Sequence, residues 1–101
     1  MIVVAIMTVR KNEIEKFRSF ESKAAAVMAS HGGAIERTVV IPMPTRPELF
    51  KELHIVTFPR EEAFAAYRQD KALQEVAHLR AESVVETEIL IGDTGPNYDG
   101  R

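Results

Sequence analysis

The chain has 101 residues, 46% of them hydrophobic, 28% charged and 7% aromatic, and it contains no cysteine. That length suits one compact domain. Thirteen basic against fifteen acidic side chains leave a net charge of −2, which gives no electrostatic case for a nucleic-acid partner or an anionic membrane surface. Lack of cysteine removes disulfides, thiolate nucleophiles and Cys-ligated zinc or iron–sulfur centres.

The apolar opening, Met1-Ile2-Val3-Val4-Ala5-Ile6-Met7, has no basic flank and no small-residue cleavage site, and it is too short to span a bilayer. Residues 2–9 are therefore predicted as a strand covered on both faces, and the cytoplasm is the expected location. Asn12 is placed to cap a helix, with Glu15 three residues on as in a capping box. Ile14, Phe17, Phe20, Ala24, Val27 and Met28 recur at three- and four-residue steps, and Arg18, Glu21 and Lys23 are read as lying off that stripe. His31-Gly32-Gly33 ends the helix, His31 matching its carboxyl-end dipole.

Residues 34–41 alternate as a second strand, with Ile35, Arg37, Val39 and Ile41 on one face and Glu36, Thr38 and Val40 on the other. Arg37 is expected near a sheet edge. Prolines 42, 44 and 47 then break the pattern. Residues 52–58 form a third strand, Leu53, Ile55 and Thr57 opposing His54, Val56 and Phe58. Pro59 suits the start of a second helix whose stripe begins at Phe64 and Tyr67. A break near Gln69-Asp70 is predicted, with Asp70 capping a fresh segment that carries Leu73, Val76 and Leu79. Residues 84–91 close the set, Val85, Thr87, Ile89 and Ile91 facing away from Glu86, Glu88 and Leu90. Residues 1–92 make the domain, and 93–101 read as a polar tail.

The order β-α-β-β-α-β predicts a ferredoxin-like α+β domain: a four-stranded antiparallel sheet with both helices on one face. The other face is expected to carry Val40, Val56, Phe58 and Leu90 together with one apolar set from the first strand. Such a face calls for a second copy packed against it, so a homodimer enclosing a mixed polar–apolar chamber is expected.

The run Val56-Thr57-Phe58-Pro59-Arg60-Glu61-Glu62-Ala63-Phe64-Ala65-Ala66-Tyr67-Arg68-Gln69-Asp70, followed by Leu79-Arg80 and Glu88-Ile89-Leu90-Ile91-Gly92, resembles the dimeric α+β barrel superfamily. Within it, the run is similar to a domain-of-unknown-function family related to antibiotic-biosynthesis-type monooxygenase-like domains. The resemblance covers roughly residues 2–92 and implies a homodimeric barrel. The superfamily includes cofactor-independent oxygenases, muconolactone isomerases, haem-handling enzymes and proteins without known activity, so the motif specifies fold more than chemistry. No catalytic residue transfers from it.

From the residues themselves, the candidate catalytic set is His54 with Glu36 and Glu88, which strand parity places on the face without helices. A histidine oriented by a carboxylate can act as general base on an acidic phenol or enol. Thr38, Val56, Phe58, Tyr67 and Glu86 are candidate ligand contacts. The ordinary alternative makes the polar residues of that face hydrogen bonds and ion pairs of a dimer seam, and Tyr67 a core aromatic. One imidazole and two carboxylates also suit iron or manganese, but no His-x-x-x-His spacing supports a metal site, and none is assigned. Neither His31 nor His78 is a compelling haem ligand, with His78 alone kept open, and Met7, Met28 and Met43 are adaptable apolar fillers. The chain has no glycine-rich phosphate loop and no nucleophile elbow. Two classes remain: a cofactor-independent monooxygenase or isomerase acting on a small apolar or aromatic molecule through His54, and a non-catalytic ligand-binding or oligomerisation module.

Overall fold

The computed structural model describes residues 1–100. In chain order the elements are β1 (Ile2–Arg10), α1 (Ile14–Ser30), β2 (Ala34–Pro42), β3 (Leu49–Thr57), α2 (Glu61–Arg68), α3 (Lys71–Glu75), α4 (Ala77–Ser83) and β4 (Val84–Gly92). The four strands form one sheet in the order β2-β3-β1-β4, and each neighbouring pair is antiparallel. With the helices packed on the sheet, this is the ferredoxin-like α+β arrangement that the element order predicts. Residues 93–100 carry no helix or strand. Among the described residues, no helix is long and apolar enough to cross a membrane.

The stripe on α1 buries Phe17, Phe20, Ala24 and Met28. Phe17 packs with Met7, Val9 and Phe50, while Met28 joins Val3, Val56 and Phe58. Asn12 is not the cap. A turn of 3₁₀ helix (Lys11–Glu13) precedes α1, and Glu13 stands at its start without a side-chain cap. The glycine stop is as expected: Gly32 has a φ of +77°, open to glycine at no steric cost. The second helical stretch breaks at Asp70 as predicted, and the Ala72 N–H donates to Asp70 Oδ1 at 2.9 Å. His31 Nε2 lies 2.8 Å from Asp70 Oδ2, tying the end of α1 to the start of α3. That contact is the main cause holding the Asp70 carboxyl below its ordinary pKa.

Two bulges decide which side chains share a face. The β2–β3 register shifts between Ile35 and Arg37, and the β1–β4 register shifts between Thr8 and Val9. Ile35 pairs with Val56 and Thr38 with His54, so Ile35 shares a face with Thr38 and Val40 rather than with Arg37, Val39 and Ile41. Arg37 does lie on an edge strand.

The predicted face of β3 is also reversed. His54 pairs with Ala5 and Val56 with Val3, on the same side as the Met7 and Val9 core. His54, Val56, Phe58, Thr38 and Val40 therefore belong to the helix-covered side, whereas Leu90 lies on the bare face as expected. Leu53 and Ile55 make the other face of β3 as apolar as Val56 and Phe58, so alternation alone does not say which set meets the helices. The bare face carries Val4, Ile6, Leu53, Ile55, Val39, Ile41 and Leu90.

Candidate active site

A cavity of about 310 Å³ lies between the sheet and the helices. Its walls are mainly apolar, built from side chains such as Val3, Met7, Phe20, Met28, Val56 and Phe58. Phe58 packs against Phe64 and Tyr67, with ring centroids 5.3 Å and 5.5 Å away, giving one side of the cavity an aromatic wall. Seven polar side chains break the apolar lining: Glu21 from α1, His54 from β3, Tyr67 and Arg68 from α2, Gln74 from α3, Arg80 from α4 and Thr87 from β4. A pocket of this size with a few convergent polar groups is the usual form of a small-molecule site.

His54 is buried, at 4% exposure, and stands between two carboxylates. Its Nε2 lies 2.7 Å from Glu52 Oε2. Its Nδ1 lies 3.6 Å from Glu21 Oε2. Glu52, 2% exposed, accepts a hydrogen bond from Arg18 Nη1 through its other oxygen. In the tautomer that donates from Nε2–H to Glu52, Nδ1 is the ring nitrogen with a free lone pair, and it is the one on the Glu21 side. The chain Arg18–Glu52–His54–Glu21 thus runs from solvent to the cavity wall. Among the described residues, no buried side-chain nitrogen or oxygen lacks a hydrogen-bond partner.

Glu21 is the adaptable end of this chain. Burial, the largest cause, pushes its carboxyl above the ordinary carboxylate pKa, and the Glu52 charge adds to the rise, while His54, Arg80 and Arg18 oppose it. A protonated Glu21 can give its proton towards Nδ1, and an ionised Glu21 can take one from the imidazolium. Tyr67 is pushed up to about 12, first by burial and then by the Glu21 charge, so it stays a phenol and serves as a donor.

The raised pKa of Glu21 has a signed consequence for stability. Between the unfolded and folded values the native state binds more protons, so stability falls as pH rises through that window. A Glu21→Gln variant should lack this slope, its melting temperature gaining on the wild type as pH rises from the ordinary carboxylate range towards neutrality. Calorimetric melts across that range measure it, and parallel curves would show that Glu21 is not the group responsible.

The remaining sequence candidates divide by position. Val56, Phe58 and Tyr67 line the cavity with His54. Glu88 pairs with Ile6 and Glu86 with Thr8, which puts both on the face opposite His54. Glu36 sits at the β2 bulge, unpaired and exposed, and Thr38, although it shares His54's side, is an exposed residue of the edge strand outside the cavity. The set His54, Glu36 and Glu88 is therefore not assembled, and the parity that suggested it is undone by the reversed face and the bulge.

Glu21 and Glu52 take the carboxylate places instead. Glu21 falls four residues after Phe17 and three before Ala24, so its spacing does put it on the buried stripe. Glu52 is two residues before His54 in the same strand and so shares its face. Among the described residues, no three His, Cys, Asp or Glu side chains are arranged to hold a metal ion. Glu52 and Glu21 flank opposite ring nitrogens of His54 and do not converge on one point. His78 is exposed and does not line the cavity, nor does Met43, whereas Met7 and Met28 do.

Sheet topology, helix placement and the cavity between the layers are those of a small ferredoxin-like α+β domain, the fold of antibiotic-biosynthesis-monooxygenase-like proteins. No family model matches the sequence, and no curated protein matches it. Solved structures do. A protein of unknown function from Rhodopseudomonas palustris superposes with a TM-score of 0.75 at 16% identity, over 94% of this chain and 83% of its own. SnoaB, a cofactor-independent oxygenase from Streptomyces nogalater, gives a TM-score of 0.62 at 12% identity, over 93% of this chain and 94% of its own. An antibiotic biosynthesis monooxygenase-like protein from Nitrosomonas europaea gives 0.65 at 13% identity, over 92% and 88%. At these identities the likeness is one of fold.

Proposed function

We propose that this chain is a cofactor-independent monooxygenase or isomerase that binds a small aromatic molecule in the interlayer cavity and uses His54 as its acid–base group. The observation that carries this reading is the buried His54 at the wall of an apolar cavity, bracketed by Glu52 and Glu21. The fold shared with SnoaB supports the choice of chemistry. His54 Nδ1 takes a proton from an acidic carbon of the substrate, and the Glu52–Arg18 pair holds the resulting imidazolium. In oxygenation, the carbanion reduces dioxygen to a bound peroxide, which recovers the proton from His54. Loss of water then leaves a carbonyl, so one CH₂ and one O₂ become one C=O and one H₂O. In isomerisation, the same proton returns to a different carbon.

His54→Gln keeps the size and a hydrogen-bonding edge but loses the basic nitrogen, and turnover should fall roughly 10²- to 10⁴-fold. Oxygen uptake and product formation on a panel of enolisable hydroxyaryl ketones measure this. A variant as active as the wild type would make the Arg18–Glu52–His54–Glu21 chain a brace between α1 and β3 and leave a non-catalytic binding module.

The protein works as a homodimer in this reading. The molecule is a slab measuring 42 × 37 × 17 Å with an apolar sheet face uncovered. It exposes 6681 Å², against roughly 5,700 Å² for a compact monomer of this mass. Burying each aliphatic side chain of that face contributes roughly 1.5–3 kcal/mol. Ile55→Asp at its centre should give a folded monomer, while the wild type shows twice the 11.3 kDa chain mass in light scattering. A wild type of single mass would remove the dimer.

A further inference from the structure

The bare face of the sheet carries charge as well as apolar surface, and the charge is sorted. Arg37 on β2 and Lys51 on β3 lie to one side, Glu86 and Glu88 on β4 to the other. Among the described residues, none of these takes part in an ion pair. Lys51 and Glu86 share a row, each paired with Thr8, but β1 stands between them. Two strand spacings hold them roughly 10 Å apart, and three hold Arg37 and Glu88 roughly 14 Å apart across the sheet. Of the other charged groups near that face, Arg10 donates from Nη1 to the Glu82 carbonyl, and Glu36 sits in the β2 bulge opposite no β3 residue. Between the charged sides lie Val4, Ile6, Leu53 and Ile55, all half-buried. Covering such a face buries its charges together with its aliphatic residues, and a buried charge is tolerated only when it is paired.

We propose that a second copy supplies the missing partners. A two-fold axis lays β4 of each copy over the β2–β3 half of the other, so that Arg37 and Lys51 meet the partner's Glu86 and the partner's Glu88. The proposal rests on the homodimer reading above and deepens it by fixing which strands of the two copies meet. A two-fold contact is isologous, so whatever forms at one side of the interface forms again at the other. With β4 lying on the partner's β4, the acidic side chains would oppose their own copies, and the basic ones would stay unpaired. With β4 over the β2–β3 half, opposite charges meet at both sides while the central aliphatic residues stack on the partner's sheet. Packed sheets stand about 10 Å apart, a gap that an arginine or lysine and a glutamate facing each other span between them. The same sorting works against other partners, because a surface without the complementary pattern leaves these charges desolvated and unpaired.

Charge reversal with mixing tests the orientation. The double variant Arg37→Glu, Lys51→Glu turns the sorted charges of the face acidic, and Glu86→Lys, Glu88→Lys turns them basic. Alone, each should dimerise at least about tenfold more weakly than the wild type at low salt, as measured by sedimentation equilibrium. Mixed, the two should form a heterodimer within about threefold of the wild-type affinity. Variants that associate as tightly alone as when mixed overturn the proposal. A wild type of single chain mass would remove the homodimer and this pairing together. A dimeric wild type whose variants are indifferent to mixing would keep the homodimer and reject the orientation alone. Should a reversed variant fail to fold, cross-linking decides, since the chain has no cysteine of its own. Arg37→Cys mixed with Glu88→Cys should be joined by a short bismaleimide, and Glu88→Cys by itself should not. No mixed product, or a Glu88→Cys product formed as readily, overturns the proposal.

Discussion

Gly33→Ala should destabilise the protein by about 2–3 kcal/mol and lower its melting temperature by roughly 10–20 °C. A Cβ at this position would sit 2.5 Å from Phe58 Cε1 and 2.7 Å from Met28 Cγ. Neither neighbour has room to yield. Phe58 is held by the rings of Phe64 and Tyr67 on its other side, and Met28 belongs to the same buried cluster with Val3 and Val56. Glycine is thus required here by close approach, where Gly32 is required by its positive φ. Gly92→Ala makes the control, because nothing lies within 4 Å of a Cβ there and its melting temperature should stay within a degree or two. Phe58 and Met28 both line the cavity, so the Gly33 variant should also bind ligands more weakly, and calorimetry with a ligand titration reads both effects. A Gly33→Ala protein as stable as wild type would mean that the contact between the α1–β2 turn and the aromatic wall is loose.

The second large effect is expected at the Arg18–Glu52 pair. Glu52 is 2% exposed, while the Arg18 side chain is 46% exposed, so the two ends of the pair are unequal. Removing Arg18 strands a buried carboxylate with the imidazole as its remaining partner, whereas removing Glu52 leaves a guanidinium that can turn to water. Arg18→Leu should therefore cost about 2–3 kcal/mol, near the lower end for breaking a buried pair because solvent reaches the vacated side. The double variant Arg18→Leu, Glu52→Leu should regain at least about 1 kcal/mol of that loss. Urea melts of the two single variants and the double variant complete the cycle. Strict additivity would show that the pair contributes no more than two independent surface residues.

The broad architecture was legible because the signals that carry it are local and redundant. Phe17, Phe20, Ala24 and Met28 mark α1, Gly32 and Gly33 end it, and Asp70 splits the second helical stretch, each for a reason visible within a few residues. The site was less legible because it depends on which parity of β3 meets the helices. Leu53 and Ile55 are as apolar as Val56 and Phe58, so that question is settled by the pairing of His54 with Ala5 and not by hydrophobic alternation. A single extra residue at Glu36 then reverses the first part of β2 relative to the rest. His54 and Tyr67 were found by residue type, whereas Glu21 was passed over because a carboxylate on an apolar stripe reads as solvent-facing. Its spacing from Phe17 and Ala24 pointed inward, and the buried acid stands 3.6 Å from His54 Nδ1. Arg80 entered only within the Leu79-Arg80 pair that carries the resemblance, since an arginine in the last turn of a helix already has a dipole to satisfy.

The layer covering the cavity is unevenly anchored. One long helix, α1, fixes four buried side chains against the sheet, while α2 and α3, eight and five residues long, bury none completely. Opening free energy follows such differences, so amides of α2 and α3 should exchange with solvent at lower cost than those of β1 and α1. The Phe64–Tyr67 side of the cavity is therefore the softer wall, and the His54 side is carried by an inner strand of the sheet. Under the proposed function, ligands of different bulk would be accommodated at the expense of the soft wall, and the position of the reacting proton relative to His54 would be set by the hard one.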